Sequence, residues 1–354
     1  MVKEKIITIQ EGGVRLDAAL LHAFPTTTRA FVRDAIERGD VLVGDETKGD
    51  ATFLSREKNT DLRFRRANKG LKLAAGTQIL IRELLEACDN LVSPDGVCPP
   101  PVFEDADLLA FDKPAGMPVQ PLSCRETGTL MNGVVARHPE CRTISEFDGD
   151  GHVVNTLMAG ALHRIDADTS GLVLVARNQK SFDALRGQFA AQTVKKTYLA
   201  LVEGSVAVGG TLENDLVHDP TLPFCRMIDK SRIRANGRFQ ISDLKLLHAV
   251  TQFTPIGHTT VENEERTLLE VTIFTGVTHQ IRAQLALAGM HIVNDRLYGA
   301  FAVENQKGHC LHALAASFLH PTSGTPVEIR TALPAWALHR AHIMHSGTVP
   351  DFKR

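Results

Sequence analysis

Two carboxylates flank a predicted turn in the middle of the chain. Residues 161–178 read ALHRIDADTSGLVLVARN, so Asp166 and Asp168 follow His163 and Arg164 and precede a continuous apolar run. Nearby cations favour the ionised form of a carboxyl group. An ionised carboxylate at a turn before a buried strand could act as a covalent nucleophile, or it could form a structural ion pair with an arginine. The residues alone leave both interpretations open.

The segment Asp168–Gly171 also carries the Asp-Thr-Ser-Gly pattern of an aspartic protease. Those enzymes need two carboxylates that share a proton. The pattern occurs once in the chain, and neither Asp-Thr-Gly nor Asp-Ser-Gly stands elsewhere. A protease is therefore disfavoured, and Thr169-Ser170-Gly171 is interpreted as a tight turn.

Composition limits the class of protein. The chain has 39 Lys and Arg against 41 Asp and Glu, and basic residues are concentrated in 55–72. Such a run suits a phosphate backbone, although a solvated loop is the commoner explanation for any single run. Six scattered cysteines form no Cys-x-x-Cys pair, which argues against a disulfide framework or a Cys-rich zinc site. Without a signal-peptide pattern or an apolar run of about 18 residues, a cytoplasmic protein with no membrane partner is expected.

Periodicity and proline content divide the chain. Leu16, Leu20 and Phe24 recur at the spacing of one helical face. Three consecutive prolines at 99–101 predict a linker. Beyond the linker, strand and helix patterns alternate in an irregular order, which predicts an α+β fold rather than repeated βαβ units. The predicted domains are a small domain over 1–85, a linker over 86–101 and a catalytic domain over 102–354.

Four separated segments resemble, in order, motifs of the RluA-type RNA pseudouridine synthases. They are FDKPAGMPVQP, HRIDADTSGLVLVARN, VKKTYLALVEG and TGVTHQIRAQLALAGMHIVNDRLYG. The likeness extends over about 102–334, where LHALAASFLHP resembles the closing Leu-His-Ala segment of the family. Residues 14–43 resemble a small RNA-binding domain, first named for a ribosomal protein, that precedes many of these enzymes.

The resemblance implies a fold and a reaction. The fold would be a mixed, mostly antiparallel central sheet with surrounding helices and a catalytic cleft, preceded by a small α/β RNA-binding domain. The reaction would be isomerisation of uridine to pseudouridine in structured RNA, by a monomer without cofactor or metal. Large-subunit ribosomal RNA is the favoured substrate and tRNA the alternative. A non-catalytic or weakly catalytic ribosome-assembly factor on the same scaffold is the other interpretation.

Matching the motifs residue by residue assigns catalytic roles. Asp166 is the implied nucleophile, with the ribose or the base as its target, whereas Asp168 would organise the turn. Tyr198 would stack on the flipped uracil and serve in proton removal. Arg282 would pair with Asp166 and hold it ionised.

A second group of residues is expected to bind RNA. Arg164 would fill the gap that the flipped base leaves, because a guanidinium plane can stack where the base was. Lys113 and Lys196 would bind phosphate or order loops. Arg29 and Arg33 lie four residues apart on one predicted helix face, which suits backbone phosphates.

Two positions depart from the family pattern. Val277 stands before the His-Gln-Ile-Arg motif where the family usually has Arg, and Asn294 replaces a Gly before Asp295. Neither change removes a predicted catalytic residue, so activity is expected.

Overall fold

The structure of the chain is a computed structural model. Two compact units make up the chain. The first comprises 1–92, 122–125 and 145–157, and the second the remaining residues. The described residues are 2–24, 27, 29–45, 55–56, 63–84, 91–147, 153–222, 225–233, 244–261, 264–299 and 308–338.

The first unit packs two helices against an antiparallel sheet. The helices are α1 (Leu16–Ala23) and α2 (Arg29–Arg38), and the strands are β1 (Val2–Thr8), β2 (Val41–Asp45), β3 (Ser55–Arg56), β4 (Arg63–Arg66) and β5 (Gln78–Leu84). The strand order is β1-β5-β2-β4-β3. Leu16, Leu20 and Phe24 are buried in its core, as their helical spacing predicts. A separate short pair, β8 (Glu146–Phe147) and β9 (Val153–Asn155), completes this unit.

The second unit is built on a ten-stranded sheet. Its strands are β6 (Pro101–Glu104), β7 (Leu108–Lys113), β10 (Ser170–Ala176), β11 (Lys195–Glu203), β12 (Gly210–His218), β13 (Met227–Asp229), β14 (Leu247–Val261), β15 (Glu264–Ile273), β16 (Leu311–Leu319) and β17 (Pro326–Arg330). The order is β13-β12-β14-β15-β11-β16-β10-β7-β6, and β17 pairs with β16. The helices are α3 (Leu130–Arg137), α4 (Gln179–Ala190), α5 (Gln280–Leu287) and α6 (Ala335–Leu338).

The pairing of these strands is antiparallel except between β10 and β16. The expected α+β fold with a mixed, mostly antiparallel sheet is therefore confirmed. The apolar run after the Asp166 turn forms β10, and its residues 171–176 are all buried. Because β10 lies between β7 and β16, this strand carries the turn at its start into the middle of the sheet.

Gly171 permits the close approach of β10 to β16. Its φ angle is +110°, which side-chain-bearing residues rarely adopt, and it pairs with Ala313. A Cβ atom at this position would lie 2.2 Å from the Ala313 carbonyl oxygen. The glycine of the Asp-Thr-Ser-Gly turn is thus required by the sheet.

We expect Gly171→Ala to lower the free energy of unfolding by about 3 kcal/mol or more, since backbone strain and a backbone clash add. The matched control is Gly187→Ala in α4, where an added Cβ meets nothing within 4 Å. That variant should gain about 0.5–1 kcal/mol from helix propensity. Urea denaturation measures both, and equal changes in the two variants would contradict the role of Gly171.

Candidate active site

The candidate site centres on the carboxylate of Asp166. The amide of Thr169 donates to the Asp166 carbonyl at 3.1 Å, which closes the turn that precedes β10. Nη1 of Arg282, on α5, donates to Asp166 Oδ2 at 2.6 Å. The Asp166 side chain is 26% exposed, whereas that of Arg282 is 9% exposed. A ligand can therefore reach the Asp166 carboxylate, while the buried Arg282 guanidinium fixes the position of that carboxylate.

Asp295 fixes the direction of Arg282. Arg282 Nε donates to Asp295 Oδ2 at 2.7 Å, and Nη2 donates to Oδ1 at 2.9 Å. Burial opposes the charge of Arg282, but the carboxylates of Asp295 and Asp166 hold the pKa of the guanidinium above its usual value. Burial likewise opposes ionisation of Asp295, but Arg282 lowers its carboxyl pKa overall. The bidentate pair leaves one guanidinium edge to face Asp166.

Two aromatic side chains complete this cluster. The Tyr298 ring lies 5.3 Å from Arg282 Cζ, and its hydroxyl is 3.1 Å from His279 Nδ1. His279 Nε2 is 3.8 Å from Asp166 Oδ2, and burial is the main cause that lowers the pKa of this histidine. Asp295, Tyr298 and His279 were not expected as site residues. The sequence could have pointed to them, because they lie in the segments THQIR and NDRLYG, which resemble the family. The resemblance did not assign roles to these three residues.

Tyr198 is brought to the same region by strand register. Ala313 of β16 pairs with Gly171 on one side and with Tyr198 of β11 on the other. The Tyr198 side chain is buried. Burial, and secondarily the charge of Asp166, raises the pKa of its hydroxyl, which stays protonated at neutral pH. The three predicted catalytic side chains thus belong to one electrostatic cluster.

Two histidines hold the hydroxyl groups of the turn. His309 Nε2 is 2.7 Å from Thr169 Oγ1. His312 Nδ1 is 2.8 Å from Ser170 Oγ, and its Nε2 is 2.8 Å from Thr331 Oγ1. Burial lowers the pKa of each histidine to about 4, so both are neutral at pH 7. The hydroxyls of the turn therefore serve to anchor it.

Lys113 and Lys196 are buried and donate to backbone carbonyls. Lys113 Nζ donates to Pro114 O at 2.9 Å, Met117 O at 2.7 Å and Ala167 O at 2.9 Å. Lys196 Nζ donates to Thr275 O at 2.6 Å. Burial lowers the pKa of both ammonium groups to about 8. Of the two predicted roles, loop ordering fits these contacts, whereas the structure does not bring either lysine to an exposed phosphate site.

The three predicted RNA-binding arginines are exposed. Arg164 lies two residues before Asp166. Arg29 and Arg33 stand on α2 of the first unit, where they line a groove of about 430 Å³. Lys69 and an ion pair between Arg15 and Asp17, at 2.8 Å, also line that groove. Basic side chains therefore outnumber the acidic one along its described lining.

The described parts of the chain show neither a metal-binding cluster nor a membrane-spanning helix. No group of three or more His, Cys, Asp or Glu side chains there could hold a metal ion. No described helix is long and apolar enough to cross a membrane.

Comparisons with known proteins agree on one family. Residues 107–287 match the family model described as RNA pseudouridylate synthase. The ribosomal large subunit pseudouridine synthase D of Xanthomonas campestris pv. campestris is 29% identical over 347 residues, which are 94% of this chain and 89% of that protein. An uncharacterized RNA pseudouridine synthase of Chloroflexus aurantiacus is 30% identical over 343 residues, 94% of this chain and 91% of that protein.

One solved structure supports the fold. Human RNA Pseudouridylate Synthase Domain Containing 1 matches with a TM-score of 0.50 at 21% sequence identity, over 70% of this chain and 84% of that chain. The likeness shows the shared sheet architecture.

His312 should make stability depend on pH. The unfolded histidine has an ordinary pKa of about 6.5, so below that pH the unfolded state binds a proton that the folded state, with its pKa of about 4, does not. The free energy of unfolding should therefore fall by about 2 kcal/mol between pH 7 and pH 5 through His312 alone.

The measurement is urea denaturation of the wild type and His312→Gln at both pH values. His312→Gln should lose this share of the pH dependence, because glutamine does not titrate. His218→Gln, which replaces an exposed histidine of the same unit, should retain it. Parallel pH profiles for the wild type and His312→Gln would refute the role of His312.

Proposed function

The chain belongs to the RNA pseudouridylate synthase family, as its motifs predict, and we propose that it isomerises uridines of large-subunit ribosomal RNA. The enzyme class, an RNA pseudouridine synthase, follows from the family. The ribosomal substrate is supported by the name of the Xanthomonas campestris relative, which aligns over nearly the whole chain. Within the chain, the observation that carries the proposal is the partly exposed Asp166 held by a buried arginine.

The net reaction exchanges one bond of the uridine for another. The bond between N1 of the base and C1′ of the ribose breaks, and a bond between C5 and C1′ forms. C5 loses a proton and N1 gains one, so the product is an isomer. In our proposal Asp166 is the nucleophile, because Arg282 Nη1 orients its carboxyl group at 2.6 Å and the side chain is still 26% exposed. Both C1′ and the base remain possible points of attack.

Tyr198 is proposed to carry the C5 proton. Its hydroxyl is protonated, since burial raises its pKa, so it can accept that proton only as it gives up its own. Asp166, whose charge acts on this hydroxyl, can take the released proton once the carboxylate is no longer bonded to the nucleotide. A proton is then delivered to N1 from Asp166 or by exchange through solvent, so that the carboxylate is restored and the isomerisation balances. The phenol ring can also stack on the flipped uracil.

Arg164 is proposed to stabilise the RNA after base flipping. Extruding a base costs a few kcal/mol of stacking and pairing energy. Arg164 is exposed and lies two residues from Asp166, so its guanidinium is accessible to RNA. In the first unit, Arg29 and Arg33 are proposed to bind backbone phosphates.

We expect Asp166→Asn to reduce pseudouridine formation by at least about 10⁴-fold, because the amide cannot replace a carboxylate nucleophile. The assay is tritium release from unmodified large-subunit ribosomal RNA transcripts that carry tritium at C5 of uridine. Asp168→Asn is the matched control, since Asp168 is exposed and two residues away. It should retain most of the activity.

A parallel assay with unmodified tRNA tests the alternative substrate. Tritium release from tRNA alone would contradict the assignment of ribosomal RNA as the substrate. If Asp166→Asn were as active as the wild type, Asp166 could not be the nucleophile. Failure of the wild type on both RNAs would favour the ribosome-assembly factor. Carbodiimide-dependent primer extension would then map the modified uridine.

Replacing Arg29 and Arg33 together by alanine should weaken RNA binding and flatten its salt dependence. Loss of two phosphate contacts should reduce the slope of log Kd against log salt concentration by about 1.5. Filter binding of a ribosomal RNA transcript at several salt concentrations measures the slope.

The control is Arg38→Ala on the same helix. Arg38 already pairs with Asp34 and Asp40, each at 3.1 Å, so its loss should leave the slope unchanged. A double alanine variant with the wild-type slope would exclude this helix from phosphate binding.

A further inference from the structure

A second arginine stacks on Tyr298 beside the Asp166 cluster. Arg226 immediately precedes β13, and its Cζ atom lies 5.7 Å from the centroid of the Tyr298 ring. The amide of the next residue, Met227, donates to the Tyr298 hydroxyl at 2.8 Å. The backbone at the start of β13 and the Arg226 guanidinium are therefore both positioned by one aromatic side chain, the same one that Arg282 contacts.

Unlike Arg282, Arg226 has no anionic partner among the described residues. Arg282 donates to both Asp166 and Asp295. Nε of Arg226 is buried, and no described residue accepts a hydrogen bond from it. A partly buried guanidinium with an unsatisfied donor is destabilising in the free protein. Such a group gains more from an anionic ligand than a fully hydrated side chain does.

The side chains around Asp166 carry a net negative charge, which disfavours the binding of an RNA phosphate unless a further cation is present. Asp166, Asp168 and Asp295 carry three negative charges, whereas Arg282 and Lys113 carry two positive charges that act on them. His279 does not offset the difference at neutral pH, because burial lowers its pKa. A nucleotide that presents its base to Asp166 brings a negatively charged phosphate with it. Because Arg164 is proposed to occupy the space of the flipped base, that phosphate would require a further cation.

Val277 does not supply this cation. Val277, which precedes α5, packs in an apolar cluster with Met227 and Tyr298. Arg226 reaches the same Tyr298 ring from β13 instead.

We propose that Arg226 binds the phosphate of the nucleotide whose uracil is presented to Asp166, while Tyr298 holds the guanidinium plane for that contact. Arg226 is thus a substrate-binding residue at the edge of the site. The proposal rests on the proposed function, since it takes RNA as the ligand.

The experiment measures RNA binding in an Asp166→Asn background, in which chemistry is absent. Adding Arg226→Gln should raise the Kd for a large-subunit ribosomal RNA transcript about tenfold and reduce its salt slope by about 0.7–0.9, the value for one phosphate contact. In the otherwise wild-type enzyme, Arg226→Gln should raise KM by a similar factor while kcat falls less than about threefold.

Two variants separate charge from structure. Arg226→Lys keeps the charge and should keep the salt slope, with an intermediate Kd because it lacks the planar stack. Arg232→Gln removes an exposed charge just after β13 and should change Kd by less than about twofold. Thermal unfolding of each variant checks that it is folded.

The proposal is overturned if Arg226→Gln has the salt slope and KM of the wild type, or if it matches Arg232→Gln. It is also overturned if Arg226→Lys loses the slope that the wild type shows. If the wild type binds the transcript but releases no tritium from it, the proposed function fails, whereas the binding measurement still tests Arg226.

Discussion

The buried contact between Arg282 and Asp295 is the interaction on which the rest of the site depends. Asp295 is only 1% exposed, and removing one partner of such a pair typically costs about 3–5 kcal/mol because a buried charge is left unpaired. The contact also orients the guanidinium group. Because Nε and Nη2 of Arg282 donate to the two oxygens of Asp295, Nη1 points toward Asp166. The same interaction therefore stabilises the fold and sets the position of the Asp166 carboxylate, so a substitution at Asp295 or Arg282 changes both at once.

The sheet supplies the other half of this positioning. Ala313 pairs with both Gly171 and Tyr198, so a single residue of β16 sets the distance between the turn and the aromatic side chain. Lys113 ties the loop after β7 to the carbonyl of Ala167, next to Asp166. The ammonium group of Lys113 also acts electrostatically on Asp166, so this contact adds to the charge that Arg282 supplies.

Much of this could be predicted from the sequence, and the limits have a physical reason. The buried face of α1 follows from local periodicity. The pairing of Asp166 with Arg282 spans 116 residues and was predictable only through motif resemblance. Asp295, His309 and His312 were missed as partners because long-range contacts leave no local pattern. Lys113 ends β7 just before a Pro/Gly-rich loop, and this position does not show that three backbone carbonyls will accept hydrogen bonds from it.

The short parallel pairing between β10 and β16 is where two antiparallel groups of strands meet. It consists of only two residue pairs, Ser170 with His312 and Gly171 with Ala313. The strands β6, β7 and β10 pair with one another without it, and so do β11 to β16. Asp166 precedes β10 in the first group, whereas Tyr198 lies in the second. A change that opened these two residue pairs would therefore separate Asp166 from Tyr198 while most of the secondary structure stayed in place.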